Sequence, residues 1–337
     1  MNISLRQIKE LLITAAKKYV SESEAEYFAT LWLESHFKKA PRMNPLEEAV
    51  FDLKVWRDHA DHQIKTVVEK PGACVIDFNQ LAPSLRIKHV HDDLEKRAKL
   101  NGLAATGFYN STGITTLGMW SDGLAKRDLI GISMFNGGTN CCVPFGGKRG
   151  IMGTNPMAYA IPTNTHPMGL DMATTEIPFF EIKQAKEKNK PLRPNAAVNQ
   201  KGIPTTDASA ALNDDGVANL LPIGGGFKGY GIMLLIEILT GSLIRSLLST
   251  EQTSGWNPPE YGCLILAIDI GSFTDLSTFK TKVSEMCEVI RQESPAEGFD
   301  SVSIPGDRGN ANLKQIEAKG EIELKDELYD ELMSLTK

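Results

Sequence analysis

Apolar residues near the start of the chain recur at helical spacing. Leu5, Ile8, Leu12, Ala15 and Tyr19 share one face of a helix expected over 4–19. Ser21-Glu22-Ser23-Glu24 has the spacing of a capping box, in which a hydroxyl and a carboxylate satisfy free N–H groups at a helix start. It opens a second helix with Ala25, Phe28, Ala29 and Trp32 on its inner face, ended by Pro41 and Pro45. Residues 52–61 read as a further helical piece and 73–77 as a short strand.

From Asp92 the pattern alternates. Helices are expected over 92–101 and 117–126, and strands over 103–108, 129–135, 157–161 and 169–172. A strand at 263–270, a helix at 279–292 and a last sheet strand at 301–304 continue the series, before a charged helical tail from Asn312. Such alternation belongs to a layered α/β domain with a mostly buried sheet. Residues 181–219 are polar, carry prolines and few large apolar side chains, and suit a surface excursion or a subunit contact. The run 232–248 is too long and too rich in Leu and Ile for a strand, and reads as a buried helix.

Composition narrows the function. The chain has 337 residues, enough for one large domain or two. With 42% hydrophobic and 23% charged residues it reads as soluble and globular. A net charge of -6 supplies no basic excess to pair with phosphates, which argues against nucleic acid as a partner. Five cysteines, without CxxC or Cys/His spacing, suit a reducing compartment and no metal site. The first residues lack the apolar core of a signal peptide, and the long apolar run contains Glu237 and Arg245. A cytoplasmic protein with no membrane span is expected.

The glycine-rich stretch before that run carries the strongest chemical signal. Gly224, Gly225, Gly226, Gly229 and Gly231 surround Phe227 and Lys228 at the entrance to the helix. A glycine turn at a helix start leaves backbone N–H groups free at a positive helix end, which suits a phosphate or carboxylate; the same glycines also permit close helix packing. Gly146-Gly147-Lys148 and Gly153-Thr154-Asn155-Pro156 are turn clusters that could rim a ligand cleft. Asp171 precedes Met172-Ala173-Thr174-Thr175, and Pro305-Gly306-Asp307-Arg308-Gly309 makes a tight charged turn. No GxGxxG sits between a strand and a helix near the start of the α/β region, where a dinucleotide fingerprint would lie, and GxxxxGK[ST] and GxSxG do not occur. His59 and His62, three apart on an expected helix beside Asp58 and Asp61, read as a solvated face.

In that order, Gly146 to Lys148, Gly153 to Pro156, Leu170 to Thr174, Phe227 to Gly231 and Pro305 to Asp307 resemble the malate/L-lactate dehydrogenase family of NAD(P)-dependent 2-oxoacid reductases. This is the branch unrelated to the Rossmann-type lactate and malate dehydrogenases, and it includes sulfolactate, ureidoglycolate, diketogulonate and cyclic-imine enzymes. Asn110-Ser111, Leu129-Ile130-Gly131 and Gly202 to Asp207 add to the likeness, which spans nearly the whole chain. The resemblance implies a non-Rossmann layered α/β core with a mixed sheet over 76–310. A helical region would be built from 1–75 and 311–337. It implies a homodimer, a small carboxylate substrate, and NAD or NADP held near the subunit contact. Carried over, cofactor contacts fall on Asp171, Met172, Ala173, Thr174 and Thr175 as far as Ile177, on Phe227 and Lys228, and on Gly306, Asp307 and Arg308. Lys148 would line the reacting end.

The departures fall at the acid/base positions. The family reads Ser-His-Gly and then Arg after the second helix. Here Ser35-His36-Phe37 looks similar, yet His36 continues the inner face of Trp32 and Ala29, and the family triplet maps near Arg42, Met43 and Asn44. The second family histidine position holds Gly113. Three readings follow. The chain is a working reductase, in which Arg42 or Lys148 holds the carboxylate and His36, Lys148 or a water supplies the proton. Alternatively it is a divergent homologue that binds cofactor without turnover. Or it is a structural partner, against which the cleft charges Lys148, Asp171, Lys228 and Asp307 argue.

Overall fold

The computed structural model describes residues 1–39, 44–114, 116–137, 140–213, 216–252 and 260–337. Strand β1 (Asn2–Ser4) passes into α1 (Leu5–Ala16) through a capping box: Gln7 N–H donates to Ser4 Oγ at 3.2 Å and Ser4 N–H donates to Gln7 Oε1 at 3.3 Å. Helix α2 (Glu22–Lys39) opens on the expected Ser21–Glu24 box and buries Ala25, Phe28, Ala29 and Trp32. Helix α3 (Pro45–Asp58) starts at Pro45, earlier than the expected 52. Proline fits a first helical turn, whose N–H has no partner to lose, so Pro45 begins one helix where it was expected to end another. His59 caps α3 and His62 lies beyond it, with its Nδ1 2.7 Å from the Asn79 carbonyl, so the two do not share a helix face.

Strands β2 (Lys65–Lys70) and β3 (Ala73–Asp77) form a hairpin, and β2 is a polar edge strand absent from the sequence reading. Then come α4 (Ile87–Asn101), β4 (Leu103–Tyr109), α5 (Gly118–Ala125), β5 (Leu129–Asn136), β6 (Met157–Ile161) and β7 (Met168–Met172). Helix α6 (Phe179–Glu187) and the short pair β8 (Ala197–Val198) and β9 (Pro204–Thr205) occupy the polar excursion. This region has a small apolar cluster of its own, with Ile182, Leu192, Ala196, Ala197 and Leu220. The chain closes with α7 (Phe227–Thr240), β10 (Gly262–Asp269), α8 (Leu276–Arg291), α9 (Asp307–Lys319), β11 (Glu321–Glu323) and α10 (Asp326–Thr336).

Seven strands make one mixed sheet in the order β2-β3-β4-β10-β5-β6-β7, in which only β3 and β4 run parallel. The central strand β10 is apolar on both faces. Its Cys263, Ile265 and Ala267 join the main core with Phe108 and Trp120. Leu264 and Leu266 face Met134 and Ile236 beneath α7. Residues 301–304 form no strand. Ile304 N–H donates instead to Asp307 Oδ2, which turns the chain into α9, and β7 is the sheet edge.

The apolar run also differs from expectation. Helix α7 ends at Thr240 and is only half covered. Met233, Ile236 and Glu237 face inward, while Phe227, Ile232, Leu235, Ile238 and the following Leu243 are exposed. By length and composition 227–244 could cross a membrane. Its buried Glu237 carboxylate and its packing over β5 and β10 mark it as a helix of the folded core.

Candidate active site

Two pieces of the molecule gather the residues singled out above. The first joins the end of α2 to the sheet edge. Lys38 pairs with Asp122 at 2.5 Å and Lys39 with Asp171 at 2.7 Å. Asp171 Oδ2 also accepts the Gly118 N–H at the start of α5, at 3.0 Å. A Cβ on Gly118 would stand 3.0 Å from the Asp171 side chain, so glycine permits the approach. Helix α9 closes this corner: Gly309 packs on Lys38, and Gly169 N–H donates to Pro305 O at 3.2 Å. Asp307 takes both prongs of Arg291, at 2.7 and 3.0 Å, and its hydrogen bond from that guanidinium holds its carboxyl below the usual carboxylate range. Asp171 and Asp307 are therefore both paired within the chain.

The second piece is the glycine turn. Gly224 and Gly225 have φ of 70° and 60°, and Gly226 is an extended N-cap without a side-chain hydrogen bond. A Cβ on Gly229 would come within 2.1 Å of the Ile223 carbonyl, so the turn folds directly onto the first turn of α7. No acidic residue lies in that turn. Gly224 N–H donates to Glu176 Oε2 at 2.7 Å, and Arg193 donates to the Glu176 carbonyl at 2.6 Å. Phe227 and Lys228 are exposed, and the Phe227 ring meets Phe145 edge-on at 5.9 Å. Lys148 is exposed beside Gly202. Among the described residues neither Lys148 nor Lys228 has an ion-pair partner.

A buried lattice joins the motifs. Thr174 Oγ–H donates to the Thr154 and Asn155 carbonyls at 3.1 and 2.9 Å, and Thr175 Oγ–H to Ile177 O at 2.8 Å. Asn155 Nδ2 donates to Glu237 Oε2 at 2.7 Å, and Ser249 donates to the same carboxylate through its N–H and hydroxyl. The hydroxyls of Thr174 and Thr175 thus point into the fold, and the Thr174 backbone joins the same lattice, its N–H donating to the Thr154 carbonyl at 3.0 Å and its carbonyl accepting from Ile223 N–H at 2.8 Å. Glu176, Glu237 and Lys39 were missed by sequence reasoning. Glu237 left a trace as an acid inside an apolar run; Lys39 left none, because its partner lies 132 residues away.

His36 sits near the end of α2, buried, with its Nδ1 lacking a partner. Burial pushes its pKa down to about 4, against a smaller opposing pull from Glu47, so the ring is neutral at pH 7. Arg42 and Met43 lie outside the described residues. Arg308 is exposed in the first turn of α9, next to the paired Asp307.

Residues 6–333 match the malate/L-lactate dehydrogenase family. The chain is 35% identical over 343 residues to the malate/(S)-sulfolactate dehydrogenase of Methanothermus fervidus, covering 99% of this chain and 97% of the relative. It is 30% identical over 274 residues to the NAD(+) ureidoglycolate dehydrogenase of Escherichia coli O157:H7, covering 79% and 76%. The sulfolactate dehydrogenase structure from Methanocaldococcus jannaschii superposes with a TM-score of 0.82 at 31% identity, over 99% of this chain and 96% of that one. The ordered glycine and acid motifs, the mixed non-Rossmann sheet and these matches agree: the chain belongs to the malate/L-lactate dehydrogenase family of NAD(P)-dependent oxidoreductases.

Proposed function

We propose that the chain moves a hydride between NAD or NADP and a small 2-oxo or 2-hydroxy acid, or a related cyclic imine. The observation that carries this reading is the glycine turn with the exposed, unpaired Lys228 beside it. Free N–H groups at the start of α7, no first-turn acid, and Lys228 next to them make a donor set for a pyrophosphate. The group fits these residues. The segment from Asp171 to Ile177, the Phe227 ring, Lys228, and Gly306 to Arg308 would hold it, and the nicotinamide supplies the hydride chemistry. Lys148, exposed and unpaired, would hold the substrate carboxylate, joined by Arg42. His36, neutral at pH 7, would accept a proton in the oxidative direction more readily than it would donate one in reduction.

A homodimer in a reducing cytoplasm is part of the same reading. The exposed apolar side of α7, with Phe227, Ile232, Leu235, Ile238 and Leu243, is the face a second copy would cover. All five cysteines are buried free thiols, as a reducing compartment allows. Fluorescence titration with NADH and NADPH tests the cofactor, and a screen of 2-oxoacids and cyclic imines for nucleotide oxidation tests the reaction. Saturable binding with turnover of one substrate class is expected. Binding to neither nucleotide overturns the reading, and binding without any turnover leaves a cofactor-binding homologue in its place.

A further inference from the structure

Each of the two exposed lysines stands close in sequence to a large exposed aromatic ring. Phe145 lies shortly before Lys148, and Phe227 directly precedes Lys228; the two phenylalanines are 58% and 68% exposed. Single apolar residues on a surface are ordinary. These two touch: their ring centroids are 5.9 Å apart and their planes meet at 76°. Two segments far apart in sequence thus bring their tips together and leave both rings in water.

The stem beneath Phe145 is fixed to α7. Cys142 N–H donates to Met152 O at 2.8 Å, Ile151 N–H to Cys142 O at 3.0 Å, and Val143 N–H to Leu220 O at 2.9 Å. Cys142 and Met152 are buried against Met233 of α7, with Ile151 and Tyr230 packed around them. Gly147 N–H donates to Pro144 O at 2.8 Å and closes a turn with Phe145 and Gly146 at its centre. Gly146 has φ of 79°, the positive value that the third position of a type II turn requires. The turn therefore holds Phe145 out from the stem, above the start of the helix that Phe227 opens.

Space is open around both loops. A Cβ built on Gly146 or on Gly224 would meet nothing within 4 Å. Two rings near a right angle form a corner. A third planar ring fits inside it, stacked on one phenylalanine and edge-on to the other, and both arrangements suit aromatic quadrupoles. An anion on the uncapped start of α7 would hold any ring it carries close to Phe227.

Resting on the oxidoreductase reading above, we propose that Phe145 and Phe227 form an aromatic corner that receives one planar ring of the dinucleotide while its pyrophosphate lies on the start of α7. Phe145 is then a nucleotide-binding residue, and it ties the Lys148 loop to the bound cofactor. The chemistry recognised is a heteroaromatic ring joined through a ribose to a pyrophosphate, which the adenine and nicotinamide ends both offer.

Phe145→Ala is expected to weaken NADH or NADPH binding about tenfold in fluorescence titration, with Tm unchanged because the exposed ring supports no core. Phe145→Tyr keeps the ring and is expected to bind as wild type does. Displacement of the bound nucleotide by ADP-ribose separates the two ends. The same loss for ADP-ribose places adenine in the corner; a loss confined to the whole dinucleotide places nicotinamide there. Undiminished affinity in Phe145→Ala overturns the proposal, and so does a Phe145→Tyr variant as weak as Phe145→Ala. Sedimentation of unliganded Phe145→Ala tests the rival occupant, a second copy of the chain: a changed oligomeric state assigns the pair to a subunit contact and overturns the corner. If wild type binds neither nucleotide, the oxidoreductase reading fails and takes the corner with it. If wild type binds and Phe145→Ala binds equally well, the corner alone fails.

Discussion

The corner between α2 and β7 and the glycine turn before α7 both carry charged residues, and they use them differently. At the corner every lysine and aspartate named above has a partner: Lys38 with Asp122, Lys39 with Asp171, Arg291 with Asp307. Lys228 at the turn, and Lys148 beside Gly202, are exposed and unpaired among the described residues. A half-buried charge with an internal partner is explained by construction, because leaving it alone would be costly. An exposed cation beside free N–H groups has no such explanation and is available to an anion. The comparison changes what the family acids mean here. Asp171 and Asp307 tie α2, α5, α8 and α9 together, and the charge left without an internal partner lies on the lysines.

The largest expected effect comes from the lattice that joins the two regions. Glu237→Ala leaves Asn155 and Ser249 without their buried acceptor and is expected to cost about 3 kcal/mol in denaturant unfolding. A cost near zero would separate the two regions again. Next is acid. His36 has a folded pKa of about 4, below an unfolded value of about 6.5. A depressed histidine stabilises the fold above its unfolded value, and that stability is lost as pH falls through the window between the two. The loss by pH 4 is about 3 kcal/mol, and His36→Gln is expected to flatten the unfolding profile there, although His91, lowered to about 3, keeps a slope of the same sign. Asp171→Asn strands the Lys39 ammonium at the corner and is expected to cost about 1–2 kcal/mol of stability in thermal unfolding. Smallest is Lys228→Ala, with Tm unchanged and NADH or NADPH affinity reduced about tenfold, roughly 1.4 kcal/mol, by fluorescence titration. If Asp171→Asn left Tm untouched while Lys228→Ala lowered it, the assignment of the two regions would be reversed.

Local patterns read well where physics is local. The Ser21–Glu24 box, the stop at Gly102 and the apolar strand expected over 263–270 all depend on residues a few positions apart; the first two form as expected, and the strand forms over Gly262–Asp269. The last strand did not form, because its residues turn to satisfy Asp307. The exposed side of α7 was hidden, since an apolar composition does not say what covers it. The small cluster of the 181–219 excursion was invisible because alanines supply much of it. At the site, the glycine turn was legible from its glycines. The pairs Lys39–Asp171 and Gly224–Glu176 were not, because each joins residues far apart in sequence that only the sheet brings together.

Strand β1 pairs antiparallel with β11, and the Met1 amino group bonds to the carbonyl of Leu324, 323 residues later. On a ribosome, β1 and α1 therefore emerge long before the strand that pairs with β1. The sheet can assemble first, since all seven of its strands lie between residues 65 and 269. This order makes translation itself a checkpoint. A chain stalled before β11 would leave the edge of β1 unpaired, a surface for chaperones or proteases to act on, while the glycine turn before α7 was already in place.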